Sequence, residues 1–373
     1  TVHLHHSFIR LPDDNYEPLP FDARSGMIGL SWDNGFVDYA VPIGEPIHVQ
    51  YGRRHRLQKK DPQAEVSDAV EPIIYYLDPG APEPVRSALM EGASWWNQAF
   101  EAAGYKNAFQ VRMLPEGADP MDVRYNVIQW VHRSTRGWSY GSSIFDPRTG
   151  EILKGHVTLG SLRVRQDYLI AEGLLSPYTQ GEIPETMLEM SLARIRQLSA
   201  HEIGHTLGFD HNFAASVNDR SSVMDYPFPL IRFDANGRLD LSDAYGVGIG
   251  EWDKRTVLYA YQDFPVGLDD AAARKKILEE TIAEGFLFVA DEDSRDPGTA
   301  NPLGNLWDNG EDAIAELDNL LKVRNYALAN FSENNIRPGR PLATLEEVLV
   351  PIYLLHRFQI QAVGKLIGGQ YFN

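Results

Sequence analysis

Cysteine is absent from all 373 residues. Within these residues that excludes a disulfide framework, a cysteine-ligated structural metal site and a latency device built on a thiol. The chain also has no apolar run approaching the roughly 18 residues that a membrane-spanning helix needs. Positive charge is scarce: 34 Lys and Arg stand against 52 Asp and Glu, a formal net charge of −18. Phosphate backbones and anionic lipid are bound by clustered Lys and Arg, so this composition argues against a nucleic-acid partner. The one basic cluster, Arg53-Arg54-His55-Arg56 with Lys59-Lys60, is flanked by acidic residues and reads as a solvated loop. Internal repeats and low-complexity segments are missing as well.

What is present is concentrated in one run, His201-Glu202-Ile203-Gly204-His205-Thr206-Leu207-Gly208-Phe209-Asp210-His211. On a helix, residues four apart share a face, so His201 and His205 can hold one ion. Gly208 can adopt a positive φ, ending the helix and turning the chain so that His211 returns to the same ion. Three imidazoles leave one position of a tetrahedral zinc open, which is the catalytic rather than the structural arrangement. Glu202 follows the first ligand and can take a proton from water at that position. Downstream, Ser221-Ser222-Val223-Met224-Asp225-Tyr226-Pro227 supplies a second element.

The long H-E-x-x-H-x-x-G-x-x-H followed by S-x-M-x-Y resembles the metzincin clan of zinc metallopeptidases. The resemblance implies that Met224 lies on a turn beneath the histidines as an apolar floor, with Gly208 as the other structural residue of the site. Tyr226, two residues after the methionine as in astacins and serralysins, would reach the metal or the oxyanion. The residue after the third histidine is Asn212, which departs from the Glu, Asp, Ser or Pro of the better-known subfamilies. HEIGHTLGFDHNF with SVMDYP is most similar to the bacterial Met-zincins, large exported zinc proteases. That likeness implies a secreted or periplasmic location. It also implies further domains on the N-terminal side, so the stretch beginning at Thr1 is expected to be an excised or processed piece.

The expected fold class is α+β. Residues 1–70 read as a β-rich segment, with alternation at Thr1–His6 and turns at Asp13-Asp14-Asn15 and Asp33-Asn34-Gly35. Residues 71–211 are expected to form the first catalytic subdomain: a strand at 73–77, a long helix from about 83 to 103 with Trp95 and Trp96 as core anchors, strands at 109–113 and 126–131, and a hairpin of 138–144 with 152–159. The resemblance implies a twisted, mostly parallel sheet whose antiparallel edge strand, with Trp138, Tyr140, Gly141 and Ser142, pairs with substrate backbone. A polar loop is expected over 160–185, then the active-site helix from about 184 to 207, its apolar positions Leu188, Leu192, Ile195 and Leu198 recurring at helical spacing. Residues 212–373 are expected to hold the methionine turn, a helix opening at Gly250-Glu251-Trp252-Asp253, and helical segments near 268–284, 311–330 and 343–367.

The function expected is a zinc endopeptidase with one catalytic Zn²⁺ and a peptide or protein substrate. Two other classes fit the same residues: a zinc amidase acting on cell-wall or other non-protein amides, and a zinc-retaining binding module. The acidic stretches Asp291-Glu292-Asp293 with Asp296, and Asp308–Asp312, offer oxygen ligands for Ca²⁺ but lack the EF-hand pattern, and a solvated acidic loop is the simpler expectation.

Overall fold

A computed structural model describes residues 2, 4–30, 36, 37, 39–134, 137–179, 185–295 and 301–371. Five strands of useful length form the central sheet: β1 (Ile73–Leu77), β2 (Phe109–Met113), β3 (Asn126–Val131), β4 (Tyr140–Phe145) and β5 (Glu151–Gly160). Their spatial order is β4-β5-β3-β1-β2. Every pairing is parallel except β4 with β5, so the antiparallel strand is the edge strand, as expected. β1 alternates buried and half-buried residues and is covered on both faces, which suits its Ile and Tyr content.

Helices cover the sheet. The long helix expected after β1 is broken at Trp95 into α1 (Val85–Ser94) and α2 (Trp96–Ala102). Trp96 is fully buried, stacks on Phe209 at 5.4 Å and donates its indole N–H to the Ala200 carbonyl at 2.7 Å. Truncating such an anchor costs about 3–5 kcal/mol, which ties α2 to the helix behind it.

Residues 160–185 are not a loop. They carry α3 (Leu162–Leu175), which packs between the active-site helix and the C-terminal helices. Its weak amphipathicity hid it: a helix enclosed on two sides has no single apolar stripe. Pro177 falls just beyond its end, while Gly181 and Pro184 lie outside the described residues. α4 (Glu185–Leu207) is the active-site helix and is buried along most of its length. Leu192, Ile195 and Leu198 are in the core, whereas Leu188 is 40% exposed on the other side of its first turns. Then follow α5 (Glu251–Tyr261), α6 (Asp270–Ala283), α7 (Ala313–Ala329), α8 (Leu345–Tyr353) and α9 (Arg357–Lys365). Among the described residues no helix is long and apolar enough to cross a membrane.

Among its described residues the N-terminal segment has only two-residue strands, and the described part of Thr1–His6 forms none. The turn expected at Asp33-Asn34-Gly35 lies outside the described residues. The basic cluster is not a solvated loop. Arg54 and His55 pair in parallel with Glu151 and Ile152 of β5, and Arg54 donates to the Ala260 carbonyl at 2.5 Å. Arg56 forks onto Glu151 at 2.8 and 2.9 Å, and the buried Lys59 donates to the Ala64 and Glu65 carbonyls. These cations are spent on internal acceptors, which flanking charge alone did not reveal.

Candidate metal centre

α4 delivers His201, Glu202 and His205 one and two turns before its end, with Glu202 and His201 almost completely buried. Gly208 then stops the helix at φ 100°. A Cβ there would fall 1.8 Å from the Arg53 carbonyl oxygen, so only glycine fits. The turn is pinned from outside by the N-terminal segment: Ile28 N–H donates to the Gly208 carbonyl at 2.8 Å and Asp210 N–H to the Gly26 carbonyl at 2.9 Å. The chain is thereby aimed so that His211 meets the helix pair. The imidazole rings of His205 and His211 are 4.6 Å apart, those of His201 and His205 4.9 Å, and those of His201 and His211 5.2 Å.

The three histidines each present a nitrogen within 4.8 Å of the others. His205 Nε2 and His211 Nε2 are 3.2 Å apart. The opposite ring nitrogens are already used. His201 Nδ1 meets the Val223 carbonyl at 2.8 Å and His205 Nδ1 the Phe209 carbonyl at 2.9 Å. A carbonyl only accepts, so both rings carry their proton on Nδ1 and turn a lone pair on Nε2 inward. His211 Nδ1 bonds the Asp291 carboxylate, which fixes its ring in the same sense. Three inward lone pairs, each backed by an oriented acceptor, fit a tetrahedral cation of the zinc type with one position left for water.

Burial holds these imidazoles neutral, as ligands must be. His201 lies well below the ordinary histidine range, His205 falls to about 3 and His211 to about 4; the buried His55 nearby also falls to about 4. Unfolded histidines take up protons near pH 6.5. Below that pH the unfolded chain therefore binds more protons than the folded metal-free one, and stability falls with pH until the folded values are reached. Each such group contributes about 1.4 kcal/mol per pH unit within its window. The metal-free protein is expected to melt well below its pH 7 temperature at about pH 5, read by circular dichroism. An unchanged melting temperature would contradict the neutral triad.

The methionine turn forms the floor. Met224 is 1% exposed, and a Cβ on Gly204 would stand 2.2 Å from its sulfur, so that glycine admits the side chain directly between the two helical histidines. The turn is built on Asp253 of α5. Its carboxylate accepts from Ser222 Oγ at 2.6 Å, from Val223 N–H at 2.8 Å and from Gly250 N–H at 2.9 Å. Since Val223 in turn holds His201, Asp253 positions a ligand from 52 residues away (253 − 201). Tyr226 places its ring 4.7 Å from that of His211 and 5.3 Å from that of His201. Trp307 stacks on its far face at 5.3 Å, and the Arg295 guanidinium lies over the ring.

Asn212 is fully buried and serves as a bracket. Its side chain donates to the Leu287 carbonyl at 2.8 Å and accepts from Val289 N–H at 3.2 Å, and Phe213 N–H bonds the Val289 carbonyl at 2.8 Å. That bracket delivers Asp291 to His211. The acidic stretches are thus divided among separate tasks: Asp291 at the triad, Asp308 buried near the equally buried Asp225, whose pKa its charge raises, and Asp312 capping α7, while Asp296 lies outside the described residues. A solvated loop is not what Asp291 and Asp308 form.

On the cleft side, among the described residues, β4 has no strand partner on its outer edge. Trp138 and Tyr140 are exposed there, and Ser142 pairs with His156. Gly141 brings the edge strand against the helix at the acidic residue: a Cβ there would stand 2.1 Å from the Glu202 carbonyl oxygen. Burial pushes the Glu202 pKa up to about 8, opposed by the charge of Arg194 and by the nearby Gly141 backbone.

Residues 184–373, half of the chain, match the family model described as Met-zincin. Searches of curated proteins and of solved structures returned no match.

Proposed function

The chain belongs to the Met-zincin family, and on that premise we propose that it is a zinc-dependent endopeptidase acting on extended peptides. Family membership and the histidine triad support a zinc metallopeptidase in the broad sense. The observation that carries the finer reading is the convergence of three imidazole lone pairs beside the buried Glu202, on a helix whose backbone the edge strand touches at Gly141.

His201, His205 and His211 would hold the zinc, which when bound supplies Lewis acidity and an acidified water. Glu202 takes the proton of the attacking water and returns it to the leaving amine. Its apolar surroundings raise its proton affinity toward neutrality, where a general base is most effective. The substrate backbone lies along the outer edge of β4, next to Trp138, Tyr140, Gly141 and Ser142, with the scissile carbonyl over the triad. Tyr226 donates its hydroxyl to the developing oxyanion; burial raises its pKa, which keeps the donor proton in place.

If so, Tyr226→Phe should lower kcat by about 10²-fold with KM little changed. An unaltered kcat would remove the tyrosine from the mechanism. The reading as a whole is tested by incubating the zinc-loaded protein with a diverse peptide library and scoring cuts by mass spectrometry, beside Glu202→Ala. Cuts made only by the wild type support it, and their absence with zinc bound would sink it.

A further inference from the structure

A cavity of about 390 Å³ opens beside Glu202 and Tyr226. It is bounded by α3, α4, the chain after the methionine turn and the C-terminal helices. Leu162, Ile170, Leu198, Phe228, Val350 and Phe358 give it apolar walls. Its volume suits one substrate side chain next to the scissile bond.

Charge is distributed unevenly in this cavity. Three guanidiniums line it, those of Arg163, Arg194 and Arg357, against the carboxylates of Asp167 and Glu202. In a chain with net charge −18 this is a local reversal. Asp167 is already engaged, accepting from the Tyr245 hydroxyl at 2.5 Å and lying 3.5 Å from Arg163. Glu202 is the acidic residue beside the triad, not a free counter-ion.

Arg194 differs from the other two arginines. It is 5% exposed and donates from Nη1 to the Gln197 side chain; like Arg163 it has no hydrogen-bond partner on Nε, but unlike Arg163 it has no ion pair. Among the described residues no carboxylate lies within 4.0 Å of it. Burial draws its pKa down to about 10, so it remains a cation at neutral pH. Asp167 and Glu202 act on it only from a distance, and a buried guanidinium with no carboxylate in contact is costly, so the site favours a ligand that supplies one. Arginine matches a carboxylate with two parallel N–H donors, so a carboxylate is the ligand its fork fits best.

We propose that this cavity selects an acidic side chain, glutamate or aspartate, at the substrate residue flanking the scissile bond, with Arg194 as its specificity-determining counter-ion. The proposal rests on the peptidase reading above and deepens it. Lysine and arginine in the same substrate position are excluded by the three guanidiniums.

The test uses amidated peptides that differ only by Glu, Gln or Leu at that position, with a parallel set ending in a free carboxylate. The ratio of kcat/KM for Glu over Gln is read within each protein. In the wild type it should be at least about thirtyfold, the size of one desolvated, hydrogen-bonded charge pair. In Arg194→Gln it should collapse toward one, and in Arg194→Lys it should persist in part, which separates lost charge from lost fold. Cleavage without acid preference overturns the proposal and leaves the peptidase reading standing. A preference seen only in the free-carboxylate set overturns it too, making the chain terminus the ligand. If nothing is cut, the peptidase reading fails on its own, and calorimetry of zinc-loaded Glu202→Ala with the same peptides decides: tighter binding of the Glu peptide sustains the proposal, while equal or absent binding overturns it.

Discussion

Replacing Glu202 by alanine is expected to lower peptide hydrolysis by about 10⁴-fold, the upper range of a positioned general base, while zinc content stays at the wild-type level. The two outcomes separate because the residue is adjacent to the ligands without being one. All three ligating nitrogens are oriented by acceptors elsewhere, the Val223 and Phe209 carbonyls and the Asp291 carboxylate, none of which depends on Glu202. No substitute base is at hand: the other carboxylate lining the cavity, Asp167, is held by Tyr245 and Arg163. Zinc is measured by mass spectrometry of the metal, and turnover on any peptide the wild type cuts. A variant that keeps near-full activity would refute the mechanism. One that loses zinc as well would make Glu202 part of the metal site.

His205→Ala is expected to lose both zinc and activity, and with them the stability that the metal confers. His205 is the central ligand: its Nε2 is 3.2 Å from that of His211, and its ring is 4.9 Å from that of His201. Two imidazoles, one from the helix and one from the turn after Gly208, hold zinc far more weakly than three. A ligand present at a thousand times its dissociation constant stabilises the folded state by about 4 kcal/mol. A strong chelator should therefore lower the melting temperature of the wild type and of Glu202→Ala, yet leave that of His205→Ala unmoved. The contrast is decisive because a merely destabilised variant would still respond to the chelator. A chelator-sensitive melt in His205→Ala would show that the remaining ligands suffice.

Local spacing made the centre of the site legible. His201 and His205 had to share a helix face once a helix was granted, and Gly208 had to turn the chain, as its φ of 100° and the Arg53 carbonyl beside it bear out. The strands from Ile73 to Gly160 were legible for the same reason, since each carries its own apolar pattern between turn residues. α3 was not, because its neighbours on two sides supply the burial that periodicity would otherwise report. The supports of the triad were equally hidden. Asp291 stands 80 residues beyond His211, and nothing in Asp291-Glu292-Asp293 distinguishes it from a solvated acidic loop. Asp253 looked like an ordinary first-turn acid of α5 until its carboxylate was seen under the methionine turn.

The sequence by itself determined which imidazoles converge, because helical periodicity and one glycine turn operate within eleven residues. Only the tertiary structure decided how those atoms are held and what surrounds them. Asn212 brackets Asp291 to His211, residues 26–28 pin the turn, and α3, α4 and the C-terminal helices enclose Arg194 with its Nε unpartnered. These are contacts between segments tens to hundreds of residues apart. They are selected by burial, which makes each uncompensated polar group find a partner wherever the chain can bring one.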